Sequence, residues 1–83
     1  MKVKILYFAG LREQLGTAGE DLDASPTTVA ALRTLLMARG GVWQAALAQG
    51  KALRVAVNQE MAQPTTQLKP GDEIAFFPPV TGG

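Results

Sequence analysis

The carboxylates are the candidate acids of this chain, which contains neither cysteine nor histidine, and a hydroxyl could act as a nucleophile with a lysine or carboxylate partner. That composition excludes disulfides, thiol catalysis, histidine bases and cysteine-based zinc sites. Adjacent acids occur at Glu20–Asp21 and Asp72–Glu73, but nothing pairs them with a nucleophile, and turns commonly carry such residues. We therefore expect both pairs to be solvated turn residues, and we predict no metal site. Gly40–Gly41 fits neither common nucleotide-binding pattern.

The last residues, FFPPVTGG, leave the α-carboxylate of Gly83 as one more reactive group. A carboxylate resists nucleophilic attack until ATP converts it to an acyl-adenylate, from which sulfide can displace AMP to leave a thiocarboxylate. Such steps need a partner's active site, which the tail has to reach. The tail consists of Val80, Thr81, Gly82 and Gly83 and spans about 13–14 Å when extended. Glycine suits a narrow channel, and Pro78–Pro79 stiffen the root of the tail. We predict that Gly83 is the reactive residue; a frayed, idle end is the alternative.

Hydrophobic periodicity predicts the elements that hold this tail. A turn at Asn58–Gln59 follows the predicted strand of residues 53–57, and a turn at Pro70–Gly71 precedes that of residues 73–77. Strands are predicted at residues 2–8, 19–24, 53–57 and 73–77, and helical segments at 9–16, from Thr27 or Thr28 to Gly40–Gly41, and at 42–50. In the longest helix an apolar stripe is formed by Val29, Leu32, Leu35 and Leu36.

The fold follows from the single long helix, which has to bury its stripe against one face of a sheet. The first and last strands are the most apolar, which favours central positions side by side. We therefore predict an α+β roll of the ubiquitin-like, β-grasp type, with a mixed sheet and one main helix packed on one face. The folded domain comprises residues 1–79, and residues 80–83 are a flexible C-terminal Gly-Gly tail.

The opposite face of the sheet is left uncovered. Residues of the first strand that face the helix are Val3, Ile5 and Tyr7. A hairpin at residues 58–59 pairs Ala56 with Met61, so three apolar side chains point away from the helix: Phe8, Met61 and Phe77. Exposed aromatic residues and methionine are typical of protein–protein sites. We predict partner binding by this face; the alternative is that one of the three folds under a loop.

Composition limits the possible partners. The 83 residues make one domain, and 47% of them are hydrophobic, which indicates a globular chain rather than a disordered one. The net charge of +1 and the absence of a dense basic run give no basis for nucleic-acid binding. No stretch approaches the roughly 20 apolar residues of a membrane span. Since Lys4 and Arg12 also interrupt the first apolar run, we expect a cytoplasmic protein.

Four segments carry a resemblance to a known family. They are KILYFAGLREQLG near the start, PTTVAALR at the helix, AVNQE at the hairpin and LKPGDEIAFFPPVTGG at the end, the last being the most specific. Through them the chain resembles, over essentially its whole length, the ubiquitin-like sulfur carriers that serve as small subunits of molybdopterin synthase. Residues 40–53 are less distinctive.

The resemblance implies a sulfur carrier that is not itself catalytic and binds no cofactor. An E1-like activating enzyme would use ATP to adenylate Gly83, a sulfur donor enzyme would help convert it to a thiocarboxylate, and the loaded tail would enter the large synthase subunit. There it would give sulfur to cyclic pyranopterin monophosphate, forming the dithiolene of molybdopterin. The complex would be a heterotetramer. Its partner-binding residues would be Phe8, Met61 and Phe77, together with Pro78 and Pro79 at the root of the tail.

Three alternatives remain. A carrier for thiamine thiazole synthesis has a similar fold and also ends in two glycines. A protein modifier would be joined through Gly83 to lysine side chains by an isopeptide bond. A plain interaction domain would have no use for its tail, and removal of Gly82 and Gly83 would leave its function unchanged.

Overall fold

The computed structural model describes residues 2–48 and 52–78. Within those residues the chain forms five strands and three helices. They are β1 (Lys2–Tyr7), α1 (Ala9–Leu15), β2 (Gly19–Asp23), α2 (Val29–Met37), α3 (Gly41–Leu47), β3 (Arg54–Val57), β4 (Glu60–Met61) and β5 (Glu73–Phe77). The predicted boundary between a domain of residues 1–79 and a tail of residues 80–83 lies outside the described residues.

The strands form one mixed sheet in the order β2-β1-β5-β3-β4. The central pair, β1 and β5, is parallel, and the remaining neighbours are antiparallel. The two paired strands are far apart in the sequence: Lys4 of β1 is opposite Glu73 of β5. The prediction of a mixed α+β sheet with its first and last strands side by side at the centre is therefore confirmed.

The core lies between the sheet and the helices. Alternation along β1 places one set of side chains there, and Ile5 is fully buried. The core side chains are Val3, Ile5, Tyr7, Leu11, Val29, Leu32, Leu36, Ala46, Leu47, Val55, Leu68, Ile74 and Phe76. Leu35 was predicted in the buried stripe but is 37% exposed. A nine-residue helix that contacts the sheet along Val29, Leu32 and Leu36 buries one stripe, and Leu35 lies beside it.

Local signals explain where the helices begin and end. Thr28 caps α2, as predicted, because its Oγ1 accepts a hydrogen bond from the Ala31 N–H over 3.1 Å. Gly16 ends α1 in the left-handed conformation at φ 73°. The predicted end of α2 was too late, since the helix stops at Met37 and Arg39 lies beyond it.

The third helix is shorter than the predicted segment of residues 42–50. It begins at Gly41 and ends at Leu47, where the side chain of Arg33 satisfies the last carbonyl groups. Nε of Arg33 donates to the Leu47 carbonyl over 2.7 Å, and Nη2 donates to that of Ala48 over 2.5 Å. A cation from α2 therefore closes the end of α3. The predicted stop at Gly50 lies outside the described residues.

Candidate functional site

The uncovered face of the sheet carries an apolar row that crosses four strands. Leu6 is opposite Ala75, Ala75 is opposite Ala56, and Ala56 is opposite Met61. Because side chains alternate along a strand and Ile5, Tyr7 and Ile74 are buried against the helices, this row points away from them. Met61 is 61% exposed, and its predicted pairing with Ala56 is confirmed.

A second row lies one step closer to the end of β5. Phe8 directly follows β1 in an extended conformation, and its N–H donates to the Phe76 carbonyl over 3.1 Å, so it continues the β1–β5 pairing. Phe77 belongs to the same row and is opposite Arg54 of β3. Phe8 is 46% exposed and Phe77 is half-buried. We call Leu6, Phe8, Ala56, Met61, Ala75 and Phe77 the outer-face patch.

The position of Phe8 depends on an unusual backbone conformation at the next residue. Ala9 has φ 53°, in the left-handed region that residues with a Cβ seldom adopt. This one residue turns the chain from β1 into α1, so that Phe8 stays on the outer face while Leu11 is buried in the core. Such strain persists where the surrounding structure determines the backbone, and functional sites are frequent locations for it.

The β3–β4 hairpin that carries Met61 is fixed at its turn. Asn58 and Gln59 have φ of 52° and 69°, which is the two-residue type I′ geometry. Nδ2 of Asn58 donates to Oδ1 of Asp72 over 2.9 Å, and its Oδ1 accepts from the Glu73 N–H over 3.0 Å. The hydrogen bond from Asn58 and a second one from the Lys69 N–H keep the pKa of Asp72 below its ordinary value. Asp72 is thus an ionised turn residue that ties the hairpin to the start of β5.

The predicted Pro70–Gly71 turn is present before β5. Gly71 has φ 85°, and the Asp72 N–H donates to the Lys69 carbonyl over 3.1 Å. A proline followed by a residue with positive φ is the type II arrangement. The turn therefore delivers β5 into the centre of the sheet with Phe77 at its end.

Beyond the apolar rows, the same face becomes charged. Lys4 of β1 is opposite Asp21 of β2 on one side and Glu73 of β5 on the other, and Lys2 is opposite Asp23. Opposite charges on neighbouring strands favour this register. The uncovered face is therefore apolar towards the end of β5 and charged towards its beginning.

Pro78 is not brought together with the outer-face patch. It lines a shallow pocket with Gly10, Leu11, Gln14 and Leu53, which belong to the helix side of the sheet. Alternation after Phe77 explains this position, since successive residues of a strand point to opposite faces. The other predicted residues at the root and in the tail, namely Pro79, Val80, Thr81, Gly82 and Gly83, lie outside the described residues.

Two predictions covered Glu20: its place in a strand at residues 19–24 is confirmed, and its description as a solvated turn residue is wrong. It belongs to β2 opposite Ile5, and its carboxylate is partly buried on the helix side. Oε2 accepts hydrogen bonds from the Tyr7 hydroxyl over 3.0 Å and from Nη1 of Arg39 over 2.8 Å. Oε1 accepts one from Nη2 of Arg39 over 2.6 Å. The two bonds from the guanidinium are the main reason that the pKa of Glu20 is lowered.

Aromatic contacts extend this group of residues into the core. Burial, and then the hydrogen bond to Glu20, raise the pKa of Tyr7 far above its ordinary value. The Tyr7 ring meets that of Trp43 edge-on at 5.5 Å and is stacked with Phe76 at 6.4 Å. Arg39 lies over Trp43 at 4.4 Å, a cation–π distance. These contacts join the sheet to α3.

Two further kinds of feature are absent from the described residues. Within residues 2–48 and 52–78 there is no cluster of three or more His, Cys, Asp or Glu side chains that could hold a metal ion. In the same part of the chain, no helix has the length and apolar character that crossing a membrane requires. What the geometry offers is a sheet face for docking, next to the strand end from which the tail departs.

Comparison with curated proteins connects this geometry to a function. The molybdopterin synthase sulfur carrier subunit of Escherichia coli (strain K12) is 47% identical to the chain over 81 residues, covering 98% of this chain and 99% of the relative. The subunit of the same name from Haemophilus influenzae is 44% identical with the same coverage.

Solved structures share the fold over the full length. SAMP1, the small archaeal modifier protein 1 of Haloferax volcanii, has a TM-score of 0.77 at 27% identity, with all of both chains covered. A complex of subunits 1 and 2 of molybdopterin-converting factor from Helicobacter pylori contains a chain with a TM-score of 0.69 at 25% identity, again with full coverage of both chains.

The model of the ThiS family matches residues 5–83. This match begins within β1, ends at the C-terminal glycines and includes every residue of the outer-face patch. Together with 47% and 44% identity to the curated sulfur carrier subunits over nearly the full length, it shows that the chain belongs to the ThiS family.

Proposed function

We propose that this chain is the sulfur carrier subunit of a molybdopterin synthase. The observation that carries the proposal is that two curated subunits of that name are 47% and 44% identical to the chain over nearly its full length. The structure supports it, because an apolar docking face ends beside the strand that leads into the Gly-Gly tail. The chain would work in the cytoplasm.

The working group is the α-carboxylate of Gly83. An ATP-dependent, E1-like enzyme adenylates it with release of pyrophosphate, and sulfur from a donor enzyme then displaces AMP to leave a thiocarboxylate. ATP is bound by the activating enzyme and not by this chain. The loaded tail next enters the large synthase subunit and transfers its sulfur to cyclic pyranopterin monophosphate, after which water restores the carboxylate.

The large subunit covers the outer-face patch in this proposal. The Helicobacter pylori complex of subunits 1 and 2 supports a partnership of this kind. Phe8, Phe77 and Met61 supply the aromatic and flexible apolar contacts that are common at the centres of interfaces. Two copies of each subunit would form a heterotetramer, whose mass in solution can be measured.

Intact-mass spectrometry tests the proposal. The chain is incubated with the activating enzyme, ATP and a sulfur source, and its mass is expected to rise by the difference between sulfur and oxygen. A variant without Gly82 and Gly83 is the matched control: it should fold normally and gain no sulfur. If the full chain stays unchanged, or if the shortened chain still supports molybdopterin synthesis, the proposal is wrong.

A second candidate function is protein modification through Gly83, which the likeness to SAMP1 favours. It predicts high-mass conjugates in extracts of cells that express a tagged chain, with isopeptide bonds to lysine. The sulfur carrier predicts free and thiocarboxylated chain alone. For the thiamine thiazole alternative, the discriminating measurement is which pathway product is lost when the gene is removed.

A further inference from the structure

Arg54 is a cation inside the apolar half of the outer face. It begins β3 directly opposite Phe77, and alternation places it on the same face as Ala56. Phe77 is therefore its neighbour in the row, and Met61 is reached diagonally through Ala56. The Arg54 side chain is exposed.

The described structure gives this guanidinium no counter-charge. Among residues 2–48 and 52–78, no hydrogen bond or ion pair is found for the Arg54 side chain. Glu73 is the acid of β5 on the same face, but it lies four residues before Phe77, which is about 13 Å along a strand. The guanidinium of Arg39, by contrast, is held by Glu20 with two short bonds.

A cavity of about 150 Å³ adjoins Arg54 at the edge of the sheet. Its walls are mainly apolar and include Val29, Val55 and Phe76, which are core residues, so the cavity lies on the helix side of the sheet. Arg33 also contributes to the lining, but its guanidinium binds the end of α3. The cavity is therefore separate from the outer-face patch, and the exposed Arg54 side chain beside Phe77 is the cation that a partner on that patch would meet.

Docking changes the surroundings of Arg54 in a predictable way. A partner that covers Phe77 and Met61 also removes water from Arg54, which lies between them. A guanidinium that loses water without gaining an acceptor destabilises a complex strongly, whereas a carboxylate that meets its planar fork restores the lost hydrogen bonds. A partner surface that fits this face is therefore mainly apolar and carries an acidic side chain opposite Arg54.

We infer that the large subunit places a carboxylate against Arg54, beside Phe77 on the outer face, within an otherwise apolar contact. This inference rests on the proposed function, because it takes the large subunit as the occupant of the outer-face patch. It assigns Arg54 as a residue that selects the partner by charge, in addition to the affinity that the aromatic residues provide.

Binding measurements with the purified large subunit test this inference. Arg54→Glu is expected to raise the dissociation constant by about 30-fold or more, which is the effect of breaking an interfacial charge pair. The association rate of the wild-type chain is expected to fall between about 0.1 M and 1 M salt, because salt screens the attraction between charges. In Arg54→Leu this fall should be much smaller. Arg54→Lys should keep that salt dependence.

Lys69→Glu is the matched control, because it changes the net charge equally and lies in the turn at the opposite end of β5. It should bind within about fivefold of wild type, the scale of an exposed ion pair. Equal binding by Arg54→Glu and wild type, or an unchanged salt dependence in Arg54→Leu, would overturn this inference alone. A wild-type chain that does not bind the large subunit would overturn the proposed function together with it.

Discussion

The hydroxyl of Tyr7 donates a hydrogen bond to Oε2 of Glu20 over 3.0 Å, from a ring that is only 1% exposed. The bond joins the first strand to the edge strand on the helix side of the sheet. Arg39, which follows α2, binds the same carboxylate and covers Trp43 of α3. One carboxylate therefore links the edge of the sheet to the helical layer.

Removing the Tyr7 hydroxyl tests the strength of this link. Tyr7→Phe keeps the ring and its stacking with Phe76 but leaves Glu20 with Arg39 alone. We expect the free energy of unfolding to fall by about 1 kcal/mol, the usual net value of one hydrogen bond. Urea unfolding measures it, and the same substitution in a Glu20→Gln background should cost less. Equal costs in both backgrounds would show that the two residues are not coupled.

The pH dependence of stability should report Glu20. Its pKa is lower in the folded chain than in the unfolded one, so its contribution is present above the unfolded pKa and is lost as pH falls through the folded value. We expect wild type to exceed Glu20→Gln in unfolding free energy at neutral pH, and the difference to shrink as the solution is acidified below about pH 4. A difference that stays constant over that range would contradict the assignment.

Ala9 offers a test of backbone strain next to Phe8. Because its φ is 53°, Ala9→Gly should raise the free energy of unfolding by up to about 1 kcal/mol, and Ala9→Val should lower it by more than that. Thermal unfolding measures both changes. If Ala9→Gly is destabilising, the left-handed turn is not the conformation that limits stability here.

Gly19 lies where two backbones approach closely. A Cβ at this position would be 2.6 Å from the Ile5 carbonyl oxygen and 3.0 Å from Cδ2 of Leu6. Gly19→Ala should therefore destabilise the fold by about 1–3 kcal/mol through overpacking. Gly10→Ala is the matched control, since an added Cβ there meets nothing within 4 Å apart from its chain neighbours and the backbone of its own helix, and it should be neutral or stabilising in α1. Equal effects of the two substitutions would contradict the close approach.

Phe77→Ala should weaken binding to the large subunit by about 2–4 kcal/mol if Phe77 is an interface hot spot. Titration calorimetry of the two proteins measures the change. Leu35→Ala is a suitable control, because Leu35 is an exposed apolar residue on α2, away from the outer-face patch. Unchanged affinity of Phe77→Ala for the large subunit would remove Phe77 from the interface.

Local patterns in the sequence were sufficient to predict most of the fold. Alternation placed Val3, Ile5 and Tyr7 in the core, and the turn residues Asn58 and Gly71 fixed the two turns. These features depend on neighbours in the chain, and the register that puts Met61 opposite Ala56 follows from the turn itself.

The errors concern contacts between distant residues. Glu20 looked like a turn residue because its partners, Tyr7 and Arg39, come from other elements. The buried Tyr7 was a usable signal, since a buried hydroxyl requires a partner. Leu35 failed for a different reason: helical periodicity gives the centre of a stripe better than its margin.

The central place of β5 has a consequence for how the protein is made. β1 and β2 can pair early on the ribosome, but β1 meets β3 only through β5, which is synthesised after the other four strands. Closing so long a loop is slow, and it must precede completion of the sheet. The nascent chain therefore cannot assemble the outer-face patch until β5 has been synthesised.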